Sequence, residues 1–168
     1  RITSAYFSLL PRSDTVSLQS RSGRLSDKNL TLLHIAAYYD STESFFTLIE
    51  FFKSSGQNED QIFYARTSES YYPLHYALIN RSYEIANFII NRVPDQIHKI
   101  DDGVRYYPIT LAVIGGMTNF LEYLFKITAK NPLPTNQINQ AYDMALGIGE
   151  YPCLKLLIQN KNPNSTKL

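Results

Sequence analysis

Tryptophan is absent from this chain, cysteine occurs once and methionine twice. A single cysteine cannot close an internal disulfide, so the fold needs no oxidising compartment and a cytoplasmic setting is expected. Charge is scarce as well. Asp, Glu, Lys and Arg make up 18% of the 168 residues, and 16 basic against 15 acidic side chains leave a formal net charge of +1. That balance lacks the basic surplus of a nucleic-acid binder. It also lacks the low hydrophobicity and high net charge of a disordered chain. The longest apolar candidate, Tyr106 to Met117, falls well short of the ~20 residues a membrane helix needs, so no membrane insertion is expected. No signal-peptide pattern opens the chain. It begins with Arg1 rather than Met, which reads as a piece of something longer.

What is present is apolar and aromatic. Hydrophobic residues reach 44%, with 13 Tyr and 9 Phe. A chain of ~150 residues buries roughly 68–70% of its unfolded surface, enough for one well-packed domain.

Self-comparison finds four segments that align without gaps. They are Thr31-Leu32-Leu33-His34-Ile35-Ala36-Ala37, Tyr72-Pro73-Leu74-His75-Tyr76-Ala77-Leu78, Tyr107-Pro108-Ile109-Thr110-Leu111-Ala112-Val113, and the weaker Gln140-Ala141-Tyr142-Asp143-Met144-Ala145-Leu146. The anchor alanines Ala36, Ala77, Ala112 and Ala145 are spaced by 41, 35 and 33 residues. Four positions past each anchor stand Asp40, Arg81, Gly116 and Gly149, which read as turn residues. Further on, Leu48, Ile89, Leu124 and Leu157 hold one register, and Ile49, Ile90, Phe125 and Ile158 the next. The pattern predicts a short helix, a tight turn and a longer helix with one apolar face. One such pair cannot bury its face alone, and stacked pairs share a core.

The Thr/Tyr-Pro-Leu-His-x-Ala pattern at a period near 33 resembles the ankyrin repeat. Tyr72-Pro73-Leu74-His75-Tyr76-Ala77 is its closest copy. The resemblance implies an all-α solenoid of stacked helix-turn-helix units with short hairpin fingers, spanning residues 29–163. The degenerate fourth copy resembles a terminal cap, and residues 164–168 are a tail. Residues 1–28 fall outside the repeat and read either as an N-terminal helical cap or as the tail of an upstream domain. The long first spacing places an insertion at 54–70. There Gly56 stops a helix and Asn58 to Gln61 read as a capping box. That insertion is either packed or an extended finger. Pro94, Pro132, Pro134 and Pro163 are expected to end the second helices, and Asp101-Asp102-Gly103 to form a finger turn.

No catalytic, cofactor or metal site is expected. His34 and His75 share one repeat position, which the family uses to hold the turn by hydrogen bonding. His98 lies in a loop with no partner signal. Cys153 falls on an apolar helix face, where it acts as a small hydrophobe, two repeats from the nearest histidine of that row. No Cys/His cluster has metal spacing. Gly115-Gly116 and Gly147-x-Gly149 lie at helix turns and not in a phosphate loop.

Ankyrin arrays bind partners on a concave face, and that resemblance carries Tyr38, Tyr39, Tyr71, Ile79, Asn80, Arg105, Tyr106 and Ile114 onto the partner-binding surface. Tyrosine supplies large contact area and a polar tip, and is enriched at interfaces. The function implied is that of a monomeric protein-binding module without chemistry of its own. The composition resembles ankyrin proteins of intracellular bacteria, large viruses or protists; a bacterial source would make it a secreted effector acting in host cytosol. The alternative is a targeting or scaffold segment of a larger enzyme, for example a ubiquitin-ligase-type effector, with its catalytic domain elsewhere.

Overall fold

The computed structural model describes residues 29–56, 58–68, 70–100 and 105–161. The expectations for residues 1–28, for the Asp101-Asp102-Gly103 turn, for Pro163 and for the 164–168 tail lie outside them. Among the described residues the structure is all-helical. The helices are α1 (Leu32–Tyr38), α2 (Thr42–Ser54), α3 (Glu59–Ile62), α4 (Pro73–Ile79), α5 (Tyr83–Arg92), α6 (Pro108–Ile114), α7 (Thr118–Ile127), α8 (Thr135–Ile148) and α9 (Tyr151–Lys161), with a 3-10 helix at Pro94–His98.

Four antiparallel pairs are formed: α1 with α2, α4 with α5, α6 with α7, and α8 with α9. The pairs lie in chain order. The first helices form one row, in which α1 packs on α4, α4 on α6 and α6 on α8. The second helices form another, in which α2 packs on α5, α5 on α7 and α7 on α9. The core runs between the rows. The anchor alanines are all buried, and the second-helix residues Leu48, Ile89, Leu124 and Leu157 are buried opposite them.

The four turns share one geometry. In each, the carbonyl of the anchor alanine accepts from the amide five residues on. The donors are Ser41 (2.9 Å), Ser82 (2.8 Å), Met117 (2.9 Å) and Glu150 (2.9 Å). The residue before that donor is left-handed every time: Asp40 at φ 50°, Arg81 at 64°, Gly116 at 65° and Gly149 at 73°. This is the Schellman-type close that satisfies orphan helix carbonyls.

Proline opens two of the first helices, while α1 begins at the same repeat position, Leu32, on the Thr31–His34 capping box. Proline has no N–H to give and pushes the preceding residue to extended backbone. Pro73 and Pro108 therefore open α4 and α6 after Tyr72 (ψ 161°) and Tyr107 (ψ 155°). The fourth pair has Ala141 at the same position. With neither a proline nor the Thr31-type cap of α1 at this position, α8 runs back to Thr135, where Pro134 sits as N-cap, so the fourth pair departs from the expected short first helix. Pro94 follows α5 as expected and opens the 3-10 helix. Pro132 does not end α7, which closes earlier, at Ile127 with Thr128 as its cap.

Gly56 sits just past α2 at φ 73°, as a C-terminal stop requires. In the insertion the Asn58 side chain accepts from Asp60 N–H at 3.0 Å, and one helical turn follows. The insertion is packed. Phe63 is fully buried, 6.3 Å from the Phe45 ring and 6.1 Å from Phe88. Its carbonyl accepts from the buried Gln96 Nε2 at 2.7 Å. Tyr64 OH donates to Asp95 at 2.5 Å. That bond, with burial and the nearby carboxylates, pushes the phenol up to about 12. Arg92 pairs with Asp60 at 3.0 Å with both side chains about half exposed, so the pair adds little stability.

Candidate partner-binding surface

The surface is built on the ends of the first helices, and three kinds of bond hold those ends. At the first junction His34 is fully buried. Its Nδ1 accepts from Thr31 N–H at 3.1 Å, with the Thr31 hydroxyl at 2.7 Å. A ring nitrogen that accepts from an amide carries no proton, so Nε2 does. Nε2 donates to the Tyr71 carbonyl at 3.0 Å in the next pair. Nearby, the buried Ser82 hydroxyl donates to the Ala37 carbonyl at 2.6 Å.

The second junction differs. Tyr72 N–H donates to His75 Nδ1 at 3.3 Å, but Nε2 has no partner among the described residues. Burial pushes this imidazole down to about 3, opposed by the Lys99 backbone and helped by His34. Here the backbones approach instead: a Cβ added to Gly115 would sit 2.3 Å from the Leu78 carbonyl oxygen. At the third junction the direction reverses. Thr110 holds the histidine position, and Gln140 of the following pair reaches back. Its Oε1 accepts from Tyr107 N–H (3.0 Å) and the Thr110 hydroxyl (2.8 Å), while its Nε2 donates to the Arg105 carbonyl (2.7 Å).

On this frame the eight proposed contact residues divide. Tyr39, Arg105, Tyr106 and Ile114 are exposed, Tyr39 by 62% and both Tyr106 and Ile114 by 37%. Tyr38, Tyr71, Ile79 and Asn80 are half-buried. Tyr38 and Tyr71 are joined through Tyr76. The Tyr38 ring lies 5.0 Å from Tyr39 and 6.1 Å from Tyr76, and Tyr76 lies 5.5 Å from Tyr71. Tyr106 stands apart from this chain of rings, two residues before α6. Asn80 is turned to its own helix, where Nδ2 donates to the Tyr76 carbonyl at 3.0 Å.

Sequence reasoning missed Tyr76 and Gln140. Tyr76 occupies the variable position of the repeat pattern, and its aromatic ring was the available signal. Gln140 aligns with Thr31, Tyr72 and Tyr107, the residue before each first helix, and its long amide was the hint. The structure also gives His98 a partner, since Gln137 Nε2 lies 3.3 Å from its Nδ1.

Cys153 is buried, and burial, with the charge and hydrogen bond of Glu150, pushes its thiol up to about 11. Such a thiol is a poor nucleophile. Among the described residues, no three His, Cys, Asp or Glu side chains are grouped to hold a metal, and no helix is long and apolar enough to cross a membrane. No protein-family model matches the chain, and no curated protein matches it.

Proposed function

We propose that the chain is an ankyrin-type solenoid that binds a protein segment, either a helix or an extended peptide, along the ends of its first helices. The contact residues are Tyr39, Tyr106, Ile114 and Arg105, flanked by Tyr38, Tyr71, Ile79 and Asn80. The observation that carries the reading is the exposure of Tyr39, Tyr106 and Ile114 on helix ends braced by hydrogen bonds and buried rings. Large side chains held uncovered on a rigid support lose little entropy on binding. Three features favour the ankyrin reading: the shared turn geometry, the ordered rows, and a histidine that closes its own helix and bonds the next pair. The reading sets the module in the cytosol and assigns it no reaction.

The test is selection of displayed peptides on the folded chain, followed by titration against Tyr39→Ala/Tyr106→Ala/Ile114→Ala. These three side chains are exposed, so the variant should keep its helical circular dichroism. Selected peptides are expected to lose at least about tenfold in affinity. Equal binding to both proteins would move the site elsewhere.

A further inference from the structure

Each tight turn sets the end of a first helix beside the start of a second, so the four turns line one edge of the stack. Every pair leaves a large apolar side chain uncovered there. Tyr39 caps α1, Tyr83 opens α5, Ile114 ends α6, and Ile148 and Tyr151 flank the last turn. All five are exposed, Tyr151 by 74%.

The charge on this edge is of one sign. Asp40, Glu43 and Glu84 are exposed, and among the described residues none of these carboxylates has an ion-pair partner. From the last residue of each first helix through the first turn of the second, the one base is Arg81. It shares the Gly116 turn with a fourth acid: an Arg81 guanidinium nitrogen lies 3.7 Å, and a Glu150 carboxylate oxygen 3.5 Å, from the point where a Cβ on Gly116 would sit. The bases gather at the other edge, with Lys53, Arg92 and Lys126 in the last turns of α2, α5 and α7. Helix dipoles favour acids in first turns and bases in last turns, which accounts for Glu43 and Glu84. They do not account for large apolar side chains left bare beside those acids.

We propose that this edge takes a basic segment of a partner protein. Its Lys and Arg side chains meet Asp40, Glu43 and Glu84, and its apolar side chains cover Tyr39, Tyr83 and Ile114. Resting on the peptide-binding function proposed for the first-helix ends, this gives the partner its charge; Tyr39 and Ile114 belong to both. The occupant follows from charge complementarity. Unpaired exposed carboxylates repel an acidic segment and speed the encounter with a basic one. Arg105 and Tyr106 lie at the opposite ends of the first helices and take no part.

The experiment is selection of displayed random peptides on the folded chain in about 50 mM NaCl, where charge is little screened. Binding kinetics of the selected peptides are then compared on wild type, on Asp40→Asn/Glu43→Gln/Glu84→Gln and on the control Lys53→Gln/Lys126→Gln. All five substituted positions are exposed, and Asn tolerates the left-handed turn at residue 40, so circular dichroism should match. Peptides that lose binding to Tyr39→Ala/Tyr106→Ala/Ile114→Ala are expected to carry net positive charge. Neutralising the three carboxylates is expected to slow their association at least about tenfold with little change in dissociation, as is raising NaCl to about 500 mM. The lysine control is expected to leave both rates unchanged. Peptides that need the three apolar side chains but are neutral or acidic, or that bind the neutralised protein as fast as wild type, overturn the basic partner and leave peptide binding standing. Peptides indifferent to the apolar side chains, or a selection that yields none, overturn both.

Discussion

His34 closes its own helix and fastens the next one: its Nδ1 accepts from Thr31 and its Nε2 donates to the Tyr71 carbonyl at 3.0 Å. Both nitrogens are spent, and the ring is fully buried. His34→Ala removes the cap and leaves the Tyr71 carbonyl without its donor. The expected loss is about 3 kcal/mol, a cap and a buried hydrogen bond together. Urea unfolding measures it, and a loss under about 0.5 kcal/mol would show that the bridge contributes nothing.

His75 sits at the same repeat position, and its burial makes it sense acid. Its folded value of about 3 lies below the ordinary 6.5. The unfolded chain therefore takes up the proton first as pH falls. The contribution to stability is complete above about 6.5 and is lost as pH drops toward the folded value. Between pH 7.5 and 5 the loss is about 2 kcal/mol. His75→Thr, which places there the residue its counterpart Thr110 already is, is expected to flatten that part of the pH profile. Parallel profiles for the two proteins would count against a buried neutral imidazole.

Two glycines predict opposite results. At Gly115 an added methyl meets the Leu78 backbone oxygen at 2.3 Å, and the two pairs would have to part. Gly115→Ala is expected to cost about 3 kcal/mol. Gly147 lies in α8 with nothing within 4 Å of an added Cβ. Gly147→Ala is expected to stabilise by about 0.5–1 kcal/mol through helix propensity. Thermal midpoints of the two variants should move in opposite directions, and a shared direction would contradict the close approach at Gly115.

Arg81 occupies a left-handed turn position, φ 64°, that the third and fourth pairs fill with glycine. A side chain there is strained by roughly 1–2 kcal/mol. Part of that is returned as extra freedom of the unfolded glycine chain. Arg81→Gly is expected to raise stability by about 0.5–1 kcal/mol. A fall in the melting midpoint would mean that Arg81 makes a contact worth more than its strain.

Cys153 is expected to resist alkylation. The buried thiol, held near 11, should react with iodoacetamide at pH 8 at under about a hundredth of the rate seen in denaturing urea, since only thiolate reacts. Rapid labelling of the folded chain, followed by mass spectrometry, would show that α9 opens readily.

The turns were legible because they obey local rules. An alanine that admits close packing, a left-handed residue four positions on and a proline at the helix start each act within a few residues. The chain repeats them. The length of α8 was not: the repeat pattern predicts a short first helix in every pair, and α8 instead runs from Thr135 to Ile148. Nor were the junctions. Whether His34 reaches forward or Gln140 reaches back depends on side chains 30 or more residues apart meeting at a particular height. No local pattern encodes that. Of the side chains chosen by repeat position, Tyr39 and Tyr106 are exposed, but repeat position could not show that Tyr38 and Tyr71 lean on Tyr76 or that Asn80 folds back on its own helix.

The junctions also differ in what would yield under tension. A pull applied to the two ends of the stack would pass through the rows of helices in series. Along the first-helix row it would meet a histidine clasp, then a junction where His75 Nε2 has no described partner, then the Gln140 clasp. The middle junction of that row relies on the close approach of Gly115 to the Leu78 carbonyl in place of a side-chain clasp. Under tension the α4–α6 contact should yield first in that row, while α5 and α7 at the same junction stay joined by the Tyr123 hydroxyl donating to Asn91.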